Sequence, residues 1–315
     1  MYKGKKIAVV VPAYNEQLLI SETLEGIPAF VDFIFVINDA SEDNTLQQIE
    51  SRKKKDNRVT IIDHDINKGL GQSLIDGYLA SRNSDAEITA VMAGDNQMHP
   101  DDLPLLLDKI IEEDFDYVKG NRLLHHDINK MPRYRLIGNS ILTILTKFAT
   151  GYYALMDPQC GYTAIRNEAL HYIPIQNMTR GYGYNADILC MMNIHAFKVT
   201  DCQVRPVYDR EQSKIKLWKY IPKVSWLLIR LFFRRLWGRY IIRDFHPLVL
   251  FYLFAFFNTI VIIAPFTVRF LYMYMNYNEL PRTTFTILTF TFMITFQSIL
   301  FAIWMDMDYN AKKSR

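Results

Sequence analysis

Four short apolar runs, residues 6–11, 31–37, 59–62 and 88–92, each stop abruptly at a polar segment, and stretches of helical periodicity separate them. In the first such stretch Leu19, Ile20, Leu24 and Ile27 share one helical face. Short buried strands alternating with helices at this spacing can satisfy their backbone only as a mostly parallel sheet wound by right-handed crossovers. In that architecture the polar segments after Val11, Ile37 and Met92 line up along the carboxyl edge, where open α/β sheets bind ligands. The spacing therefore predicts an α/β fold and makes Asp95, in Ala93-Gly94-Asp95-Asn96-Gln97, the first candidate for a functional carboxylate. An acidic turn leading into a helix is the plain alternative.

Composition narrows the class of partner. The net charge of +3 gives no ground for nucleic acid as a partner. Three cysteines, Cys160, Cys190 and Cys202, have no CxxC spacing and suggest neither a disulfide framework nor a zinc site. The first apolar run is too short for a signal peptide and passes into Pro12-Ala13-Tyr14-Asn15-Glu16, so it reads as the first strand.

The last third differs. From Arg205 to Arg243 there are eleven Lys and Arg against Asp209 and Glu211, a charge asymmetry suited to anionic headgroups. Lys223, Arg230 and Arg234 fall on one helical stripe and Arg235, Arg239 and Arg243 on another, with Trp226, Leu227, Phe233, Trp237 and Ile241 between. That pattern predicts two interfacial helices broken near Gly238. Two uncharged runs follow, residues 246–268 and 283–305, each just long enough to cross a bilayer, joined by a loop over 269–282. Basic residues before the first run and in the Lys312-Lys313-Arg315 tail predict a transmembrane hairpin with both termini and the preceding domain in the cytoplasm. The domain boundaries expected are 1–208 for the α/β domain, 209–245 for the basic interface and 246–315 for the hairpin.

Val10-Val11-Pro12-Ala13-Tyr14-Asn15-Glu16, Asn38-Asp39-Ala40-Ser41-Glu42-Asp43-Asn44-Thr45, Asn67-Lys68-Gly69 and Gly94-Asp95-Asn96-Gln97 together resemble the successive motifs of family 2 glycosyltransferases with a GT-A fold. Within that family the likeness is to polyprenyl-phosphate sugar synthases, such as dolichyl-phosphate mannose synthase, and it runs through Asp157-Pro158-Gln159-Cys160-Gly161-Tyr162 to the membrane segments. The resemblance implies a Rossmann-like GT-A domain and a nucleotide-sugar donor bound by Pro12, Tyr14, Glu16, Asp39 and Asp95. Asp39 would accept from the nucleobase ring N–H, as suits an acceptor-only carboxylate. Asp95 and Gln97 would hold Mg2+ or Mn2+ against the donor diphosphate. The family's first acidic position there is Ala93, one charge fewer than usual.

On the acceptor side the resemblance implies that Arg122, Arg135 and Asn139, with Arg210, Ser213 and Lys214, bind the phosphate of a polyprenyl-phosphate lipid. Asp187, in Arg180-Gly-Tyr-Gly-Tyr-Asn-Ala-Asp187, stands where relatives that glycosylate a hydroxyl keep a general base. Asp95, Asp187 and Arg122 are thus the catalytic candidates. Expected is an inverting hexosyltransferase from a UDP- or GDP-sugar to a polyprenyl phosphate at the cytoplasmic membrane face. The alternatives are transfer to a lipid or glycan hydroxyl with Asp187 as base, and a non-catalytic membrane scaffold. A homo-oligomer is compatible with the sequence, which sets no subunit number.

Overall fold

The computed structural model of the chain describes residues 1–123, 133–181, 183–205, 217–277 and 281–311. They fall into two compact units, Met1–Arg235 and the stretch from Leu236 onward.

The first unit is built on a seven-stranded sheet: β1 (Ile7–Ala13), β2 (Phe33–Asn38), β3 (Val59–Asp63), β4 (Ile88–Val91), β5 (Tyr117–Asn121), β6 (Thr163–Arg166) and β7 (Val199–Gln203), in the order β3-β2-β1-β4-β6-β5-β7. β1 pairs in parallel with β2 and β4, and β2 with β3, as the alternation predicts. β6 alone is antiparallel, to β4 and β5, while β5 and β7 run parallel. Every residue of β1 is buried, consistent with its continuous apolar run and a layer of helices on each face. One face packs α1 (Ile20–Gly26) and α4 (Leu103–Ile111) over Ile7, Val9 and Val11, and the other packs α3 (Leu70–Arg82) and α7 (Tyr184–Ile194) over Ala8 and Val10. α2 (Thr45–Lys53) and α6 (Asn167–Tyr172) complete the crossovers.

α5 (Arg133–Thr150) and α8 (Leu217–Trp237) form a further layer. Val224, Leu228 and Leu231 of α8, spaced for one helical face, pack against Ala149, Ala186 and Cys190. Trp226, Ile229 and Phe233 are exposed on other sides of the helix. The basic stripes do not all face outward as expected. Arg235 is fully buried, and its Nε and Nη2 donate to the carbonyls of Ala149 (3.1 Å) and Phe148 (3.0 Å), at the C-terminal end of α5 where unpaired carbonyls favour a cation.

The second unit continues from α8 through a π-helical stretch, Gly238–Arg243, so the break foreseen near Gly238 is a change of helical winding. A continuous helical segment, Leu248–Tyr277, comprises α9 (Leu248–Phe257), a π-helical stretch and α10 (Ala264–Tyr277), and α11 (Arg282–Ala311) follows. Each segment has 30 residues and contains an 18-residue stretch of mean hydropathy 2.3 in the first and 1.9 in the second, long and apolar enough to cross a membrane by length and composition. The loop expected over 269–282 is helical through Tyr277, because Arg269 is a lone charge in an otherwise helix-compatible run. Near the end of α11, Asp306 accepts from Tyr240 Oη, and Asn310 Nδ2 donates to Asp306 Oδ1 and to Tyr240 Oη, both at 2.8 Å.

Gly77 lies where α3 meets the sheet, and a Cβ there would sit 2.2 Å from Val10 Cγ1. Gly77→Ala gains some helix propensity but overpacks this contact, so it is expected to cost roughly 1–2 kcal/mol, seen as a lowered thermal midpoint. A midpoint at the wild-type value would refute the close approach. Lys119 of β5 is fully buried, its Nζ donating to Asn185 Oδ1 at 2.7 Å, and burial pushes its pKa from 10.5 down to about 8. Between these values the unfolded chain binds more protons at this site than the folded one, so its contribution to stability rises with pH. The stability of wild type relative to Lys119→Met is expected to rise by on the order of 3 kcal/mol from pH 7 to 10.5, measured by denaturant unfolding at a series of pH values. A pH-independent difference would mean that the ammonium is not desolvated.

Candidate active site

Three loops leave the carboxyl edge of the sheet together, after β1, β2 and β4, and the sequence laces them to one another. The carbonyl of Ala13 accepts from Asp39 N at 2.9 Å and that of Pro12 from Gly94 N at 3.0 Å, so the expected donor residues of all three motifs share one rim. Asn15 N donates to Ser41 Oγ at 3.1 Å, Asn15 Oδ1 accepts from Glu42 N at 2.9 Å, and Glu16 N donates to Thr45 Oγ1 at 2.8 Å. Each loop also carries a non-glycine residue in the left-handed region: Asn15 (φ 56°), Ala40 (φ 56°) and Asn96 (φ 54°). Such backbone is tolerated where the surroundings fix it, and it gathers at functional sites. Tyr14 stands outward, 42% exposed, at the rim.

Asp39 departs from the expected picture. It is 3% exposed, and its carboxylate already accepts from Lys68 N and Gly69 N, both at 2.8 Å, and contacts His64 Nδ1 at 2.7 Å. Most of its acceptor capacity thus holds the Asn67-Lys68-Gly69 turn. His64 Nε2 in turn lies 2.9 Å from Asp76 Oδ2, which ties β3 to α3. Sequence reading passed over His64, whose only local signal is its place at the end of a strand. The neighbouring Asn38, 2% exposed, donates to Asp63 Oδ1 at 2.6 Å.

Asp95 is half-buried in a turn closed by Gln97 N donating to its Oδ1 at 3.1 Å, and the sulfur of Met98 accepts from Ala93 N at 3.3 Å. Among the described residues no three His, Cys, Asp or Glu side chains gather to hold a metal ion unaided. One carboxylate and one amide oxygen suit a hard cation that completes its shell with diphosphate oxygens and water, which is how Mg2+ is usually held by proteins.

On the other side of the edge, Arg122 follows β5 and binds Asp157 through Nε (2.8 Å) and Nη2 (3.3 Å). Asp157 is 4% exposed, so the expected phosphate-binding arginine is set in a buried fork to the DPQCGY segment. Lys119 holds Asn185, whose Nδ2 reaches Gln159 O at 3.2 Å, and Gln159 Nε2 reaches Thr146 Oγ1 of α5 at 3.0 Å. Arg135 and Asn139 lie on α5, with side chains outside the description, and Arg210, Ser213 and Lys214 lie outside the described residues.

Asp187, in the first turn of α7, is 3% exposed. Its Oδ2 accepts from Thr179 N (2.8 Å) and Oγ1 (2.7 Å), and its Oδ1 from Arg234 Nη1 (2.9 Å). Most of the acceptor capacity of this carboxylate is thus taken, and a general base must itself reach the proton it removes. The partner Arg234 lies 47 residues away on α8, and nothing in the sequence pairs the two.

Comparison with known proteins assigns the fold and the family. The model of glycosyl transferase family 2 matches residues 8–173. The UDP-N-acetylglucosamine–dolichyl-phosphate N-acetylglucosaminyltransferase of Methanococcus voltae is 27% identical over 218 residues, 65% of this chain and 86% of that one. The undecaprenyl-phosphate mannosyltransferase of Micrococcus luteus is 24% identical, covering 58% and 76% of the two chains. The crystal structure of glucosyl-3-phosphoglycerate synthase from Mycobacterium tuberculosis with Mn2+, uridine diphosphate and phosphoglyceric acid shares the fold, with a TM-score of 0.56 at 18% identity over 74% of this chain and 78% of that one. With the family model covering more than half its length, from β1 to α6, this chain belongs to glycosyl transferase family 2.

Proposed function

We propose that the protein transfers a hexosyl group, with inversion, from a nucleoside diphosphate sugar to a polyprenyl phosphate at the cytoplasmic face of a membrane. The observation that carries this reading is the state of the acceptor-side carboxylates. Asp187 is closed by Thr179 and Arg234, and Asp157 is forked to Arg122. An alcohol must lose a proton as it attacks and needs a base, whereas a phosphate monoester arrives as an oxyanion and needs none. The names of the Methanococcus and Micrococcus relatives, both polyprenyl-phosphate sugar transferases, support the same acceptor class.

In the proposed reaction an acceptor phosphate oxygen attacks the anomeric carbon as the bond from that carbon to the donor diphosphate breaks, and the nucleoside diphosphate leaves with the electron pair. Pro12, Tyr14, Glu16 and the Asp39-held turn bound the donor, and Arg122, with Arg135, Asn139, Arg210, Ser213 and Lys214, meets the acceptor phosphate. Asp95, with Gln97, would hold a divalent cation, which supplies charge neutralisation for the departing diphosphate. The Mycobacterium synthase with Mn2+ and uridine diphosphate supports this choice of ion. The segments Leu248–Tyr277 and Arg282–Ala311 would form the membrane hairpin, both termini cytoplasmic, with the exposed Trp226, Ile229 and Phe233 of α8 at the headgroup level.

The full chain in detergent, given polyprenyl phosphate and a panel of UDP- and GDP-sugars, is expected to form a sugar-phospholipid of inverted anomeric configuration. Asp95→Asn is expected to lower kcat/KM by roughly 10²- to 10³-fold, and EDTA to suppress turnover until Mn2+ or Mg2+ is returned. No glycolipid with any donor sinks the reading, and undiminished turnover in excess EDTA sinks the metal assignment.

A further inference from the structure

Helix α8 is joined to the donor side of the site by a short run of contacts that lies wholly within the first unit. Arg234 Nη1 donates to Asp187 Oδ1 at 2.9 Å, and the other oxygen of Asp187 holds Thr179 by both its backbone N–H and its hydroxyl. The next residue, Arg180, accepts at its carbonyl from Gly71 N at 2.9 Å. Gly71 is the second residue of α3, just after the turn whose Lys68 and Gly69 amides sit on Asp39. The junction leaves no slack, since a Cβ on Gly71 would lie 2.2 Å from Thr179 O, so only glycine lets the two backbones meet. α8 is itself pressed onto the start of α7: a Cβ on Gly183 would lie 2.0 Å from Leu227 Cδ2.

We propose that Asp187 and Arg234 are a positioning pair that sets the donor turn at Asn67–Gly71 from helix α8, and that neither touches substrate. The inference rests on the donor-site reading given above. Asp187 carries the charge that keeps Arg234, and with it the last turns of α8, on the domain. The same carboxylate fixes Thr179, so the 179–180 backbone presents its carbonyl to Gly71 and the turn remains where Asp39 can hold it. A shift of α8 is then felt as a loosened donor turn and weaker nucleotide affinity, with the chemical step unaltered once donor is bound.

The test uses the full chain in detergent with Mn2+, measuring UDP and GDP affinity by titration calorimetry, and the KM for donor and kcat with whichever sugar donor supports turnover. Asp187→Asn and Arg234→Met are each expected to weaken nucleotide affinity and raise the donor KM by roughly tenfold, a usual size for coupling between sites. kcat at saturating donor is expected to stay within about twofold, the double variant to be no weaker than the weaker single one, as for two members of one contact, and Arg234→Lys to keep near-wild-type affinity. Loss of kcat in Asp187→Asn with nucleotide affinity unchanged would make Asp187 a base and overturn the proposal. So would wild-type affinity in Arg234→Met, or Arg234→Lys binding no better than Arg234→Met. If Asp187→Asn does not fold, Arg234→Lys, which keeps a cation beside Asp187, and Arg234→Met, at a side chain 35% exposed, decide the matter on folded protein, and Arg234→Lys binding no better than Arg234→Met overturns the proposal. A wild-type chain that binds neither nucleotide overturns the donor-site reading itself, whereas the other outcomes leave that reading standing.

Discussion

Strand β1 is buried along its whole length and hydrogen-bonded in parallel on both sides, to β2 and to β4. The place where it stops determines where donor chemistry can occur. Its last two carbonyls, of Pro12 and Ala13, extend the ladder past the sheet and take the amides of Gly94 and Asp39. A slip of one residue would exchange its two core faces, Ile7, Val9 and Val11 for Ala8 and Val10, which is why apolar burial fixes the register so firmly. Three loops that are far apart in sequence are thereby held to one rim by the backbone, and the side chains of Asn15, Ser41 and Thr45 tie the first two together.

The antiparallel strand β6 divides the labour of the sheet. To one side, β4, β1 and β2 deliver the donor loops in parallel. To the other, β5 ends at Asn121 with Arg122 just beyond it, and the Asp157 segment that binds Arg122 leads into β6 from the same end. The apolar cores on both faces span the two halves, and buried polar contacts fix the loops within each. Asp39, Asp157 and Asp187 are each almost wholly buried, and each is satisfied by backbone amides or an arginine. Buried carboxylates of this kind stabilise only when fully partnered, so the loops around them have few alternative conformations.

How much of this was legible in the sequence follows from the range of the interactions. Strands β1 to β4 and their crossovers were readable because apolar periodicity is local, and the motifs at their ends were readable because the loops are short, whereas β5 and β7 were not singled out. The reversed direction of β6 was not readable, since a four-residue strand with only Ala164 and Ile165 apolar gives no periodicity to read and no sign of its direction. Asp39 and Asp187 were legible as special positions, but their engagement was not, because it depends on Lys68, Gly69 and Arg234, brought near by the fold. Arg235 looked like one more interfacial charge until the end of α5 supplied carbonyls for it. Arg269 was read as the start of a loop because a charge interrupts an apolar run in sequence, whereas a helix accommodates one long polar side chain without breaking.

The knot of Tyr240, Asp306 and Asn310 in the second unit bears on depth. A 30-residue helix is about 45 Å long, against roughly 30 Å of hydrocarbon, so α11 has about 15 Å to distribute between tilt and overhang. Apolar length alone leaves that distribution undetermined. In the proposed orientation the buried carboxylate and amide lie toward the cytoplasmic end of the helix, and drawing them into lipid would set their desolvation against the hydrophobic gain. In that orientation the knot would work as a depth stop, giving a hairpin with more helix than membrane one preferred height.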